Sequence, residues 1–194
     1  DEIVILDVTA TIEKRKALAD TIHAVAKEIF LPLCVGGGIK DEAHADAAIE
    51  AGADKVSLNT AAIANPELLT TLARRYGSQA VVVAIDAKRV DDIFQIYVRS
   101  GQQATRRDAV DWAREAADRG AGEILLTSID RDGTKSGFDC ELTAAVSNAV
   151  SIPVIASGGA GTFDHFVDVF TKGQAHAALA ASIFHYNEHA VSDL

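Results

Sequence analysis

The sequence has 194 residues, of which 48% are hydrophobic and 24% charged, and this composition suits one sizeable globular domain with a hydrophobic core. It contains no apolar run of about 18 residues and no basic segment ahead of an apolar stretch, so we expect neither a transmembrane span nor a signal peptide. The net charge of -10 argues against a general nucleic-acid or membrane-binding surface, although clustered backbone amides could still hold an anionic small molecule.

Apolar, β-branched segments alternate with segments of helical periodicity along the whole chain. The predicted strands lie, in chain order, at residues 2–8, 31–35, 55–58, 80–85, 124–129, 154–156 and 177–181, with a short extra strand at 93–98. The predicted helices cover residues 14–29, 41–50, a segment opened by Pro66, 108–119, 140–150 and 162–171. Asp41 is the expected N-cap of the second helix.

This alternation predicts an α/β protein whose parallel strands are covered by helices. An open doubly wound sheet and a closed (β/α)₈ barrel both fit it. We favour a single (β/α)₈ (TIM) barrel domain over residues 1–194 that contains strands 2–8 of the ring. In this interpretation the chain lacks the first βα unit and the C-terminal end of the last helix, since it starts directly before a strand and a barrel has about 250 residues.

An internal repeat supports the barrel. Residues 31–39 and 51–63 can be aligned with residues 152–160 and 172–184. Gly36 and Gly158 lie 122 positions apart, which is about half a barrel, and Asp7 shifted by the same distance falls next to Asp130. We therefore expect two related half-barrels.

Two glycine clusters, at residues 36–38 and 158–159, follow predicted strands. Each is followed one strand later by a small or polar segment, which is Ser57-Leu58-Asn59-Thr60 in the first half and Ala180-Ala181-Ser182 in the second. Glycine turns let backbone amides approach an anion, and a helix start adds unpaired N–H groups. Tight turns alone would also explain the glycines, but the duplication favours two phosphate sites and a ligand phosphorylated at both ends.

Carboxylates follow several strands: Asp7, Asp86, Asp130 and Asp132. Asp86 directly follows an apolar strand and is the best candidate for a general acid or base, although it could instead cap a turn or pair with Lys88 or Arg89. Charged residues also occur near strand starts, at Glu2, Lys55 and Glu123. Their spacing alone favours a role in stability over a closed barrel floor.

Neither a metal nor a cofactor is predicted. No H-x-H or H-E-x-x-H spacing occurs, and the two cysteines, Cys34 and Cys140, form no CxxC pair. We expect both cysteines to be buried free thiols of a cytoplasmic protein.

Six segments together carry a resemblance to one family: LDVTAT, CVGGGIKD, ADKVSLNTAA, GSQAVVVAIDAKR, RGAGEILLTSIDRDGTKSGFD and IASGGAGTFDHF. They resemble the cyclase subunit of imidazole glycerol phosphate synthase, the HisF family of histidine biosynthesis, from residue 1 to about residue 194. The resemblance implies a (β/α)₈ barrel that forms a heterodimer with a glutaminase subunit and receives ammonia from it. Ammonia and a phosphoribulosyl-formimino carboxamide ribonucleotide, which carries two phosphates, then give imidazole glycerol phosphate and aminoimidazole carboxamide ribotide.

The resemblance also implies roles for individual residues. Asp86 is one of two catalytic aspartates, and the other belongs to an N-terminal strand absent from this sequence, so we expect this chain alone to be inactive. The implied phosphate-binding residues are Gly38, Asn59, Thr60, Asp132, Gly133, Gly159, Ala181 and Ser182. The implied supporting residues at the mouth are Asp7, Ser100, Thr127 and Asp130. An ammonia gate is implied for Glu2, Lys55 and Glu123, and a glutaminase contact for Asp54. Two alternatives stay open: the sister isomerase of the same pathway, and an inert fragment that only binds the glutaminase.

Overall fold

The computed structural model describes residues 2–7 and 12–194 of the chain. Strands alternate with helices throughout this part, and the strands of the main sheet run parallel, which confirms the predicted α/β class of the TIM-barrel type. Val8, the last residue of the first predicted strand, lies outside the described residues. The chain divides into two compact units, Asp1–Val83 with Asp118–Gly122, and Ala84–Ala117 with Glu123–Leu194.

The first unit is a parallel β/α array. Its elements are β1 (Ile3–Leu6), α1 (Ile12–Glu28), β2 (Leu33–Gly36), α2 (Glu42–Glu50), β3 (Lys55–Leu58), α3 (Thr60–Ala64), α4 (Glu67–Tyr76) and the beginning of β4 (Val81–Val90). The strands pair in the order β1-β2-β3-β4. The side chains of β2 and β3 are almost wholly buried, as expected for parallel strands covered by helices.

The second unit contains the rest of β4 and three parallel strands. Its other elements are β5 (Ile93–Val98), β6 (Gln103–Asp108), α5 (Ala109–Asp118), β7 (Glu123–Ser128), α6 (Cys140–Ser147), β8 (Val154–Ser157), α7 (Phe163–Thr171), β9 (Ala177–Leu179) and α8 (Ser182–His185). Strands β7, β8 and β9 pair in parallel, whereas β4, β5 and β6 form an antiparallel excursion. Trp112 of α5 is fully buried.

Strand β4 is longer than the sequence predicts. The apolar run ends at Ile85, but the strand continues to Val90 because its second part pairs with the extra strand β5. Asp86 lies opposite Tyr97 in this pairing, so it stands inside a strand and not at its end.

The internal repeat can be seen by comparing the backbone hydrogen bonds of the first unit with those of the second. The Ile3 N–H donates to the carbonyl of Pro32 (3.0 Å), and the Ile124 N–H donates to the carbonyl of Pro153 (2.9 Å). These two pairs lie 121 positions apart. The predicted alignment of residues 31–39 with residues 152–160 has this spacing, whereas the offset of 122 taken from Gly36 and Gly158 is one residue too long for these strands. The difference matters because a one-residue slip exchanges the two faces of a strand.

The glycine turns follow the same spacing of 121. Gly37 (φ 85°) corresponds to Gly158 (φ 89°), and Gly38 (φ 73°) corresponds to Gly159 (φ 101°). All four have a positive φ, which L-residues with a side chain rarely adopt. The two turns are thus the same structure in two copies.

The offset becomes 122 after the second helix of each repeat, so the predicted alignment of residues 51–63 with residues 172–184 is wrong by one residue from Ala53 onward. In the first unit the Ala53 N–H donates to Ala48, and in the second the Ala175 N–H donates to Val169. The extra residue is Gln174, which has φ 55° in the turn before β9. When this extra residue is taken into account, β3 and β9 occupy equivalent positions in the two repeats, and so do the helices that follow them.

Candidate active site

The first glycine turn joins β2 to the segment before α2. A Cβ on Gly37 would lie 2.0 Å from the carbonyl oxygen of Asp7, so no side chain fits there. The Asp7 N–H donates to the carbonyl of Gly36 (2.9 Å), which ties the end of β1 to the turn. Asp7 is therefore placed beside the glycine turn, as the sequence predicted for the strand ends.

The second glycine turn is enclosed by the long loop between β7 and α6. A Cβ on Gly159 would lie 2.2 Å from the carbonyl oxygen of Gly137, whose N–H donates to Gly159 (2.8 Å). A Cβ on Gly158 would come within 3.3 Å of the Asp132 backbone. Gly133 has φ 73°, and a Cβ there would meet nothing within 4 Å. Asp132 and Gly133 thus lie beside this turn, where the loop leaves its backbone open.

Each glycine turn lies next to a helix start. Gly36 on β2 pairs with Ser57 on β3. Gly38 comes two residues after Gly36, and Asn59 comes two residues after Ser57. Asn59 precedes α3 with φ -120° and ψ -90°. The first N–H groups of a helix have no partner within it, and α3 begins at Thr60, directly after Asn59.

The second unit repeats this arrangement. Ser157 pairs with Leu179 across β8 and β9, and Gly159 and Ala181 follow two residues beyond. Ala181 precedes α8 with φ -127° and ψ -63°, close to the angles of Asn59. The predicted phosphate residues Gly159, Ala181 and Ser182 are therefore the structural equivalents of Gly38, Asn59 and Thr60.

Asp86 is half-buried in β4 between two fully buried residues, Ile85 and Ala87. Because side chains alternate along a strand, Asp86 points to the face opposite these two. The Arg89 guanidinium, one of the partners considered from the sequence, is bound to Glu141 of α6 at 2.5 Å. The hydrogen bond that Arg89 donates to Glu141 raises the pKa of Arg89.

The other predicted mouth residues of the second unit occupy different elements. Thr127 lies on β7 and pairs with Ser157, whereas Ser100 is exposed in the turn between β5 and β6 with φ 55°. Asp130 follows β7, and its Oδ2 accepts a hydrogen bond from the Arg89 N–H (2.8 Å). Neither Arg89 nor Glu141 was singled out as a functional residue from the sequence, and no local motif marks either one.

The charged residues at the strand starts of the first unit lie together. Lys55 Nζ is 2.6 Å from Glu2 Oε2, and their side chains are only 15% and 24% exposed. Asp54 Oδ2 accepts a hydrogen bond from the N–H of Leu33 (2.8 Å), while the Asp54 N–H donates to the Leu33 carbonyl (2.9 Å). Glu123 begins β7 in the second unit.

A histidine makes the same pair of hydrogen bonds in the second unit. His176 Nδ1 accepts a hydrogen bond from the Val154 N–H (3.2 Å), and the His176 N–H donates to the Val154 carbonyl (2.9 Å). His176 is thus the counterpart of Asp54. The sequence did not identify this pair, because the correspondence depends on the extra residue at Gln174.

Two further observations concern the described part of the chain. Among the residues whose side chains are described, no group of three or more His, Cys, Asp or Glu could hold a metal ion. Over the same residues, every helix is too short or too polar to span a membrane.

Comparison with known proteins identifies the family. The family model described as "Histidine biosynthesis protein" matches residues 1–190. Three relatives are named "Imidazole glycerol phosphate synthase subunit HisF". That of Acidobacterium capsulatum is 60% identical over 96% of this chain and 74% of its own length. That of Alkaliphilus metalliredigens is 58% identical over 97% and 75%, and that of Chlorobium phaeovibrioides is 53% identical over 100% and 77%. The chain therefore belongs to the histidine biosynthesis protein family and, within it, to the HisF subunits of imidazole glycerol phosphate synthase.

Proposed function

We propose that the chain forms a single (β/α)₈-barrel domain that carries out the cyclase reaction. Ammonia and the phosphoribulosyl-formimino carboxamide ribonucleotide would be converted to imidazole glycerol phosphate, aminoimidazole carboxamide ribotide and water. The observation that carries this proposal is the duplicated glycine turn next to a helix start, because this substrate has a phosphate at each end. A cytoplasmic location belongs to the same proposal, since Cys34 and Cys140 are both free thiols. The expectation that both are buried is correct for Cys34 and wrong for Cys140, which is half-buried.

Backbone amides are the proposed phosphate ligands. The chain is acidic, with a net charge of -10, so binding of an anion depends on local donors. The turn at Gly38 with the helix start at Thr60 would bind one phosphate, and the turn at Gly159 with the helix start at Ser182 would bind the other. Asp132 and Gly133 would contribute through the backbone of their loop.

Asp86 is the proposed general acid or base. Ring closure and C–N cleavage both require protons to move, and a positioned carboxylate contributes about 10² to 10⁴-fold to such steps. Its half-buried position within β4 holds the carboxylate at a fixed point of a rigid strand. We assign Asp86 as the residue that transfers these protons.

Ammonia is proposed to come from a glutaminase subunit that docks at the strand starts. The low exposure of the Glu2–Lys55 ion pair supports a role of these two residues as a gate. Asp54 is the proposed partner contact beside it. The sister isomerase would have no use for ammonia, so these charges favour the cyclase.

The test is Asp86→Asn in the intact chain, assayed with the ribonucleotide substrate and excess ammonium so that no glutaminase is needed. We expect kcat to fall about 10² to 10⁴-fold, because the amide keeps the shape of the side chain but transfers no proton. The matched control is Asp92→Asn in the exposed turn between β4 and β5, which should retain parental activity. Asp86→Asn activity within a few-fold of the parent contradicts the assignment, and turnover of the isomerase substrate alone contradicts the cyclase function.

A further inference from the structure

The segment of β4 beyond Asp86 is bound by two consecutive residues that follow β7. The Ile129 N–H donates to the carbonyl of Ala87 (2.8 Å), and Asp130 Oδ2 accepts from the Arg89 N–H (2.8 Å). These contacts fix the first and third residues after Asp86. An exposed carboxylate that accepts a backbone N–H from a strand 41 positions away is therefore part of the support of that strand.

The side chain of Arg89 attaches the same segment to α6. Its guanidinium lies 2.5 Å from Glu141 and 5.1 Å from the ring centre of Phe94. The start of α6 is in turn connected to β7, because Ser128 Oγ donates to Asp139 Oδ2 (3.0 Å). Both the backbone and the side chain of Arg89 are thus anchored to elements that follow β7.

The direction of the Asp86 side chain depends on this support. Asp86 stands where the antiparallel pairing with β5 begins, opposite Tyr97. A shift or rotation of the backbone at Ala87 to Arg89 would redirect the carboxylate. A misplacement of about 1 Å in a reacting group can cost about 10²-fold in rate.

We propose that Asp130 is a positioning residue for Asp86, which it serves by accepting the Arg89 N–H. This inference rests on the proposed function, in which Asp86 transfers protons. The role requires an acceptor oxygen at position 130 and does not require a negative charge. It therefore differs from direct binding of substrate, for which the charge or the full carboxylate would matter.

Asp130→Asn and Asp130→Ala separate these roles in the intact chain. The Asn side chain keeps an oxygen that can accept the Arg89 N–H, whereas Ala removes it. We expect kcat of the ammonium-dependent reaction to stay within about threefold of the parent for Asn and to fall about 10 to 100-fold for Ala, with KM changed less than threefold in both. Asp92→Ala, in the exposed turn of the same excursion, is the control and should behave as the parent.

Hydrogen exchange of the Arg89 amide, followed by NMR, gives a readout that needs no activity. Protection should persist in Asp130→Asn and be lost in Asp130→Ala, while the unfolding midpoint shows that both variants are folded. Equal loss of kcat in both variants overturns the proposal, and so does parental kcat in Asp130→Ala. If the intact parent chain turns over no substrate, the proposed function fails. The Arg89 amide then decides the positioning role alone, and equal exchange in all three proteins overturns it.

Discussion

Gly159→Ala tests whether the second glycine turn needs both its backbone conformation and its lack of a side chain. Gly159 has φ 101°, and a Cβ would lie 2.2 Å from the Gly137 carbonyl oxygen, a contact that the backbone must relieve. The positive φ costs an L-residue about 1–2 kcal/mol. Forcing a methyl group into a closed space costs about 1–3 kcal/mol more. We expect the free energy of unfolding to fall by about 2–5 kcal/mol.

Gly133→Ala is the matched control, since it lies in the adjoining loop with φ 73° and a Cβ there would meet nothing within 4 Å. It should lose only the conformational part, about 1–2 kcal/mol. Urea unfolding followed by the fluorescence of Trp112, the single tryptophan, measures both variants, because this side chain is only 1% exposed. If Gly159→Ala loses no more stability than Gly133→Ala, the close contact with Gly137 has no energetic weight and the reasoning is wrong.

Three further predictions concern other parts of the chain. A double-mutant cycle of Lys55→Met and Glu2→Gln, measured by urea unfolding, should give a coupling energy of about 1–2 kcal/mol, because both charges are largely shielded from water. A coupling energy near zero would contradict a stabilising ion pair. Asp54→Ala leaves the buried N–H of Leu33 without its acceptor and should cost about 1–3 kcal/mol in thermal unfolding, whereas Asp54→Asn should cost much less. Burial, followed by nearby Asp168, raises the pKa of Cys140, so iodoacetamide should alkylate it more slowly in the folded than in the urea-unfolded protein at pH 8.5. As the pH rises, the Cys140 thiol ionises first in the unfolded protein, so above its ordinary pKa this thiol should lower the free energy of unfolding. Equal alkylation rates of the folded and the unfolded protein would refute the raised pKa of Cys140.

The strands and helices with clear apolar patterns were predictable from the sequence. The strand at Lys55–Leu58 was predicted with both its ends, and Asp41 caps α2 as expected, its side chain accepting from the His44 N–H. The strand β6 (Gln103–Asp108) was not predicted, because it is polar and exists as a strand through its pairing with β5. α3 was missed because it is only five residues long.

The site was predictable to the extent that it depends on local motifs. The glycine turns can be located by their position after apolar strands, and Asp86 by its position after the apolar run at residues 81–85, although the strand itself continues to Val90. The offset of the repeat could not be settled in this way, because Gln174 inserts one residue in a turn that no pattern distinguishes. The contact of Asp130 with Arg89 joins residues 41 positions apart, and only tertiary structure brings such residues together.

The inserted Gln174 has a consequence for protein engineering. Because the length difference is confined to the turn between α7 and β9, β9 keeps the register on β8 that β3 has on β2. The two copies therefore differ in the length of this turn and not in the register of these strands. A chain designed with two identical halves would need only the removal of Gln174 from the second turn to give both copies one period. The glycine turns, which tolerate no added side chain at Gly37 or Gly159, would have to be copied without change.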